Sequence, residues 1–261
     1  MCQGEKLTIG VIGAGRVGLT MASQFSYAGH RILIYDESEA GKQRIIDRFG
    51  TEVSVDEKTL VSNVDWLMLA IPDQYLRPWI LKKNQEDWPT KLAGIIHLSG
   101  ALGIEVFDDI PIRLGKIAFH PMRAFAEPLL EPSALESTFF GVTASRIEDI
   151  ESLKGWLPEL ATRFVSIPQD KRVTYHLAAV TASNFIVPIL ISSKHFYIEC
   201  GIDEDTATIL VGNLARSALN NFEKLPENLV LTGPLVRGDI ETVTKHIESL
   251  KFSPRAFSNY L

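Results

Sequence analysis

The chain has 261 residues, 46% of them hydrophobic and 22% charged, with a formal net charge of −6 at neutral pH. These are the proportions of a soluble globular protein long enough for one large domain or two ordinary ones. A mildly acidic balance with no basic block argues against nucleic acid as a partner, and two cysteines, Cys2 and Cys200, supply neither a disulfide framework nor metal-ligand spacing.

The first strand expected is Leu7-Thr8-Ile9-Gly10-Val11-Ile12, apolar and β-branched as suits a strand buried on both faces. Behind it comes Gly13-Ala14-Gly15-Arg16-Val17-Gly18, a G-x-G-x-x-G run, and then a helix from Leu19 onward. A strand that turns on glycines into a helix gathers unpaired backbone N–H groups and the positive end of the helix dipole at one point, which suits a pyrophosphate. Gly13 would make the tight turn, Gly15 would let the phosphates approach, and Gly18 would pack the helix on the strand. The next strand, Arg31 to Tyr35, ends in Asp36, placed to accept hydrogen bonds from both ribose hydroxyls of a dinucleotide; a solvated strand end is the alternative. Asp36 and Glu37 oppose a 2′-phosphate, and the nearest cations are Lys42, Arg44 and Arg16, so NAD is favoured and NADP is the second choice.

A polar helix follows from Glu39 to Phe49 with Gly50 as its stop, then a short strand at Thr51-Glu52-Val53 and a short helix capped by Asp56. Asp65 to Ile71 reads as another buried strand, and Ile71-Pro72-Asp73 at its carboxyl end should border the cofactor or form an ordinary strand-ending turn. Leu92 to Leu98 ends at Ser99-Gly100, and Lys116 to Phe119 ends at His120-Pro121, so two successive strands terminate in a polar residue beside Gly or Pro. Phe139 to Thr143 is one more strand, Ile147 to Phe164 a helix, and Val165 to Ile167 a short strand. This alternation fits a parallel sheet with right-handed crossovers. Past Pro168 the pattern is helical: a long apolar helix over Val173 to Cys200, a second from Asp203 to about Phe222, an irregular stretch over Leu225 to Asp239, and a last helix over Ile240 to Leu250. The expectation is an α/β chain, with a dinucleotide-binding domain over 1–167 and an all-helical substrate and dimerisation domain over 168–261. A helix apolar all round must be buried. A homodimer through the helical domains would bury this one, and burial within the same subunit is the competing account.

The N-terminal run MCQGEKL lacks the apolar core of a signal peptide, and the run Phe185 to Ile191 is too short to span a bilayer and contains Pro188. The expected setting is cytoplasmic, with no membrane partner.

Two stretches carry a recognisable pattern, Val173-Thr174-Tyr175-His176-Leu177-Ala178-Ala179-Val180-Thr181-Ala182-Ser183-Asn184 and Leu231-Thr232-Gly233-Pro234-Leu235-Val236-Arg237-Gly238-Asp239. With His97-Leu98-Ser99-Gly100-Ala101 and Phe119-His120-Pro121, the chain resembles Rossmann-like NAD(P)-dependent oxidoreductases with a helical C-terminal domain of unknown function. That resemblance implies a C-terminal domain of the 6-phosphogluconate dehydrogenase-like kind. Ala179 to Asn184 lies where pyrroline-5-carboxylate reductases line their imine site, although Ser183-Asn184-Phe185 departs from their Gly-Ser-Gly-Pro. His120-Pro121-Met122 is similar to the His-Pro-Met of prephenate dehydrogenases, whose histidine serves the substrate hydroxyl; the Gly expected after it is absent. Lys171 resembles the position of the catalytic lysine in hydroxyacid dehydrogenases, and is otherwise a solvated helix start.

Hydride transfer needs donor and acceptor carbons held together and one proton moved. His120 is the proton carrier expected, since a strand-end imidazole can titrate near neutral pH, and a histidine hydrogen-bonded for structure is the alternative. Ser99 would orient a substrate oxygen or the nicotinamide amide, or cap the next helix. One helix would set His176, Val180 and Asn184 on a common face, with Asn184 binding a substrate carbonyl or hydroxyl or serving structure alone. Thr232 and Arg237 sit in a loop rich in Gly and Pro, where Arg237 would clamp a substrate carboxylate or brace the loop against Asp239. The reading is an oxidoreductase acting on a small polar substrate in a cleft between the domains, with no metal. A dinucleotide-binding sensor or scaffold is the alternative.

Overall fold

The computed structural model describes residues 6–250, so Cys2 lies outside the described residues. Two compact units divide the chain, one running to Ala178 and the other starting at Ala179. In the first, the chain runs β1 (Thr8–Ile12), α1 (Arg16–Tyr27), β2 (Arg31–Tyr35), α2 (Glu39–Phe49), α3 (Glu57–Asn63), β3 (Trp66–Leu69), α4 (Asp73–Lys83), β4 (Gly94–His97), β5 (Gly115–Pro121), β6 (Phe140–Ala144), α5 (Ile147–Trp156) and β7 (Phe164–Ser166). The strands form one sheet in the order β2-β1-β3-β4-β5-β6-β7.

Strand alternation builds a core on each face of that sheet. Ile9 and Val11 of β1 join Met68, Ile96 and Ile117 in a cluster with Leu19, Phe25 and Leu153 from α1 and α5. Ile12, Leu67, Leu69 and Ile95 point the other way, against Leu60, Leu76 and Ile80 from α3 and α4.

Four expectations need correction. β6 runs antiparallel to β5, pairing His120 with Gly141, whereas a wholly parallel sheet was expected. A parallel return needs a helical crossover; between β5 and β6 there is only a single turn of 3-10 helix at Pro132–Leu135. That connection lies instead on the buried polar side chains of α1, with Thr20 Oγ1 accepting from Leu129 N (2.8 Å), Ser23 Oγ donating to Leu130 O (2.8 Å) and Gln24 donating to Glu131 O (3.0 Å). Thr51 to Val53 forms turn rather than strand, with only an isolated bridge between Ile34 and Ser54. The helix expected to reach Phe164 stops at Trp156, two residues ahead of Pro158.

The long apolar helix is two helices, α6 (Arg172–Ala182) and α7 (Ile186–Glu199). Pro188 accounts for the break, because its ring clashes with the carbonyl four residues back, at Asn184, and it brings no N–H to bond it. Asn184 therefore lies outside both helices and does not share a helical face with His176. The second unit continues with α8 (Glu204–Lys224), α9 (Glu227–Val230) and α10 (Ile240–Leu250). Asp203 caps α8 by accepting from Thr206 N (2.9 Å), and Asp239 caps α10 through Thr242 N (3.1 Å). Val173, Leu177, Phe185, Ile186, Val187, Ile189 and Ile191 are all exposed in the single chain. Taken together, Gln169–Glu199 is apolar enough and, at 31 residues, long enough to cross a membrane by composition and length.

The glycine turn can be tested by stability. A β-carbon on Gly18 would collide with the Gly13 carbonyl oxygen and lie 2.9 Å from Ala70 Cβ, whereas one on Gly15 meets nothing within 4 Å. Gly18→Ala is expected to cost about 1–3 kcal/mol by overpacking. Denaturant titration beside Gly15→Ala should show Gly18→Ala as the more destabilising of the two.

Candidate functional site

The glycine loop has the geometry its sequence implies. Gly13 adopts φ +106° and donates its N–H to Tyr35 O (2.8 Å), turning the chain out of β1. Gly15 is the N-cap of α1, with no side-chain cap and no acidic residue in the first turn, so this helix start keeps its positive field. Ala14, Arg16 and Val17 complete the loop, with Arg16 exposed. Open space over Gly15 and uncapped N–H groups are what a pyrophosphate needs, and the loop fits one.

Asp36 lies beside that loop but is already engaged. Its Oδ2 accepts from Ala14 N (2.7 Å), and its Oδ1 accepts from Ser38 N (2.9 Å) and Ser38 Oγ (2.6 Å). Arg44 Nε donates to Ala14 O (3.0 Å), so both ends of the Ala14 peptide are held. Burial pushes the Asp36 carboxyl up, but the hydrogen bonds from Ser38 and Ala14 and the charge of Arg44 outweigh it and hold the group below its usual range. Asp36 stays ionised and keeps lone pairs for further donors.

Parallel strands bring their carboxyl ends to one edge, and here β3, β4 and β5 deliver Asp73, Ser99 and His120 together. Ile71 and Pro72 follow β3, and Asp73 opens α4. Ser99 Oγ donates to Asp73 Oδ2 (2.6 Å) and accepts from Leu102 N (3.0 Å). Its proton is committed, and the hydroxyl offers a newcomer only a lone pair. His97, wholly buried at the end of β4, accepts Ser99 N–H at Nδ1 (3.2 Å) and donates from Nε2 to Gly103 O (2.9 Å), pinning this turn from below. Burial pushes its pKa down to about 3.

His120 hydrogen-bonds through Nδ1 to the Tyr175 hydroxyl (2.7 Å). Its ring lies edge-on to those of Tyr175 (centroids 5.6 Å apart) and His176 (5.7 Å). Burial first, then the charges of Arg172 and His176, lower its pKa to about 4. This corrects the expectation of titration near neutrality, because the imidazole is uncharged at neutral pH. Burial raises the Tyr175 phenol to about 12, with Arg172 and a hydrogen bond from the Gly141 backbone opposing. Gly100 is where the pieces meet: a β-carbon there would strike His176 Nδ1 and stand 3.0 Å from His120 Nε2. His176 Nδ1 is buried with no hydrogen-bond partner.

Lys171 is not brought to this edge. It is exposed and paired with Asp170 (3.0 Å). The next residue, Arg172, turns inward instead and is only 1% exposed. Its Nε donates to Leu102 O (3.1 Å), Nη1 to Gly141 O (3.4 Å) and Thr143 Oγ1 (3.5 Å), and Nη2 to Ser99 O. Sequence reasoning missed Arg172, Tyr175 as the partner of His120, and His97. The spacing Arg172, Tyr175, His176 at i, i+3 and i+4 was the signal available for a single inward helical face. In the second unit, Asn184 is exposed beside Ser183 (2.9 Å from its Oγ), and Thr232 and Arg237 are exposed on the loop before α10. Asp239 caps α10 rather than bracing Arg237.

A Gly-loop α/β sheet with a polar cluster at its carboxyl edge defines a dinucleotide-fold protein. Two family models match in tandem, the Rossmann-like domain over residues 1–121 and the domain of unknown function DUF2520 over residues 138–260. Among solved structures it is similar to a Bacteroides fragilis protein provisionally named an NADP oxidoreductase, with TM-score 0.73 and 20% identity over 95% of this chain and 93% of that one. A Thermotoga maritima protein matches with TM-score 0.66 and 25% identity, covering 93% and 90% of the two chains. A Plasmodium falciparum pyrroline carboxylate reductase, solved with NADP bound, matches with TM-score 0.66 and 11% identity over 98% and 96%. These likenesses are of fold. No curated protein matches the chain.

Two measurements probe the pinned turn. His97 is neutral when folded and takes up a proton near pH 6.5 when unfolded, so the unfolded state binds more protons below that pH. The His97 contribution is therefore fully present above pH 6.5 and declines as pH falls toward 3. Denaturant titrations at successive pH values should show a steeper acid loss for the wild type than for His97→Gln, which keeps a donor but does not titrate. Gly100→Ala should displace His176 and His120, and a near-wild-type melting temperature for it would contradict the packing described.

Proposed function

We propose that this protein is an NAD(P)-dependent oxidoreductase that moves a hydride between nicotinamide and a small polar substrate. The observation that carries the reading is the open, uncapped glycine turn at Gly15 on the same sheet edge as the Ser99 and His120 cluster. The order β2-β1-β3 makes β1 the point where the chain reverses direction across the sheet, the usual crevice for a dinucleotide. Gly13, Ala14, Gly15, Arg16, Val17 and Gly18 would hold the pyrophosphate, and Ile71, Pro72 and Asp73 would border the nicotinamide half. Asp36 would accept the ribose hydroxyls on its remaining lone pairs, which favours NAD over NADP. The cofactor, when bound, supplies the hydride.

Ser99 presents an acceptor and His120 a polar ring to the reacting group, with His176 as a further substrate contact through its unpartnered Nδ1. Asn184, Thr232 and Arg237 are the residues of the second unit proposed for substrate binding. The exposed apolar side chains of α6 and α7 are assigned to a second copy of this chain, as a homodimer. A bilayer is the poorer occupant. Spanning one with Gln169–Glu199 would pull the buried Arg172 from the carbonyls that hold it, and the helix is interrupted ahead of Ile186.

Fluorescence titration with NADH and NADPH in parallel tests the cofactor reading. NADH should bind tighter, Asp36→Ala should erase the difference, and failure of both to bind would overturn the cofactor reading. On any substrate found, His120→Ala should slow turnover by ~100-fold or more without changing NADH affinity.

A further inference from the structure

We propose that Tyr175, His120 and the buried Arg172 form a proton relay that serves a substrate oxygen, so that the protein reduces a carbonyl or oxidises an alcohol rather than reducing an imine. The inference rests on the oxidoreductase reading and narrows its substrate class.

The relay is read from hydrogen-bond directions. The Tyr175 hydroxyl is packed over Gly141 and has His120 Nδ1 in reach at 2.7 Å; donating there satisfies both groups, so we assign its proton to that contact. An imidazole that accepts at Nδ1 and is uncharged must carry its hydrogen on Nε2. Nε2 lies against Gly100, next to Ser99 at the end of β4. The groups around His120 are Tyr175, Arg172, His176 and His97; none is an anion that would favour the imidazolium.

Arg172 supplies the charge. None of its hydrogen-bond partners is a carboxylate, and the guanidinium carbon lies 5.5 Å from the centre of the Tyr175 ring. Asp73 and Glu105 act on it from exposed positions, where water screens them, whereas Arg172 is buried. The result is a fixed positive field at the site, which favours negative charge that develops there.

The step balances as follows. The carbonyl carbon gains a hydride from the reduced dinucleotide, which is oxidised, and the π pair of the C=O bond moves to oxygen. That oxygen takes the Nε2 proton of His120, Nδ1 takes the Tyr175 proton, and the tyrosinate beside Arg172 regains a proton from water. A developing alkoxide is about as basic as hydroxide, and so far more basic than a phenolate. A phenol held near 12 can therefore supply its proton. An imine accepts hydride only after its nitrogen is protonated, and a neutral imidazole backed by this phenol cannot do that; the resulting iminium would also be repelled by Arg172.

Imidazole ¹H–¹⁵N spectra of the full chain test the relay without turnover. In the wild type at pH 6 the His120 ring should be neutral with hydrogen on Nε2, and in Tyr175→Phe that preference should be lost. A charged ring or hydrogen on Nδ1 in the wild type, or an unchanged ring in the variant, would overturn the relay. The wild-type spectrum decides the tautomer even if the variant fails to fold. Oxalate, a small oxyanion, should shift the Nε2–H resonance more than pyrrolidinium does. An equal or larger shift with pyrrolidinium, or none with either, would overturn the substrate class. Absence of NADH binding with these signatures intact would defeat the dinucleotide reading alone.

Discussion

The carboxyl edge of the sheet depends on one buried cation. A guanidinium taken out of water is costly unless its donors are satisfied, and Arg172 meets that requirement with carbonyl and hydroxyl dipoles instead of a counter-charge. Those acceptors come from the turn after β4 and from β6, segments far apart in sequence, so one side chain fixes the distance between them. It also accounts for the start of α6 lying with the sheet unit, which runs to Ala178, while the rest of the helix lies with the second unit.

Ser99 shows how that constraint becomes chemistry. Its carbonyl is held by Arg172, its N–H by His97, and its hydroxyl lies between Asp73 and Leu102. A serine fixed at every polar group cannot rotate to donate, so it is an acceptor only. His120, uncharged and bonded through Nδ1, has the opposite polarity at its free nitrogen. An acceptor and a donor set side by side discriminate by hydrogen-bond pattern, and leaving either unpaired would cost a wrong ligand about 1–3 kcal/mol.

Local features were legible in the sequence and long-range ones were not. The glycine turn could be read because each role depends on backbone geometry within a few residues, and the open space at Gly15 and the tight packing at Gly18 match those roles. The starts of α2 and α10 were legible for the same reason, since Ser38 and Asp239 cap them locally. The reversal of β6 was not, because nothing in its own residues says which neighbour it pairs with; the decisive fact is the lack of a crossover helix before it. Pro188 argues in the sequence against a membrane span, but its more direct consequence is to end α6 early. Lys171 and Arg172 differ by one position, and only packing decides which of two adjacent cations turns inward.

The site was half legible by the same logic. Ser99 and His120 were legible as candidates because strand ends on this architecture collect function, a rule that needs no knowledge of contacts. Their protonation was not accessible, since it depends on Tyr175, 55 residues from His120, and on burial that no local pattern encodes. A histidine judged by its ordinary pKa looks like an acid near neutrality; the same residue walled in beside a guanidinium is a neutral conduit. What moves the proton is then a group with a higher pKa behind it, and Tyr175 is bonded to the nitrogen through which such a group must act.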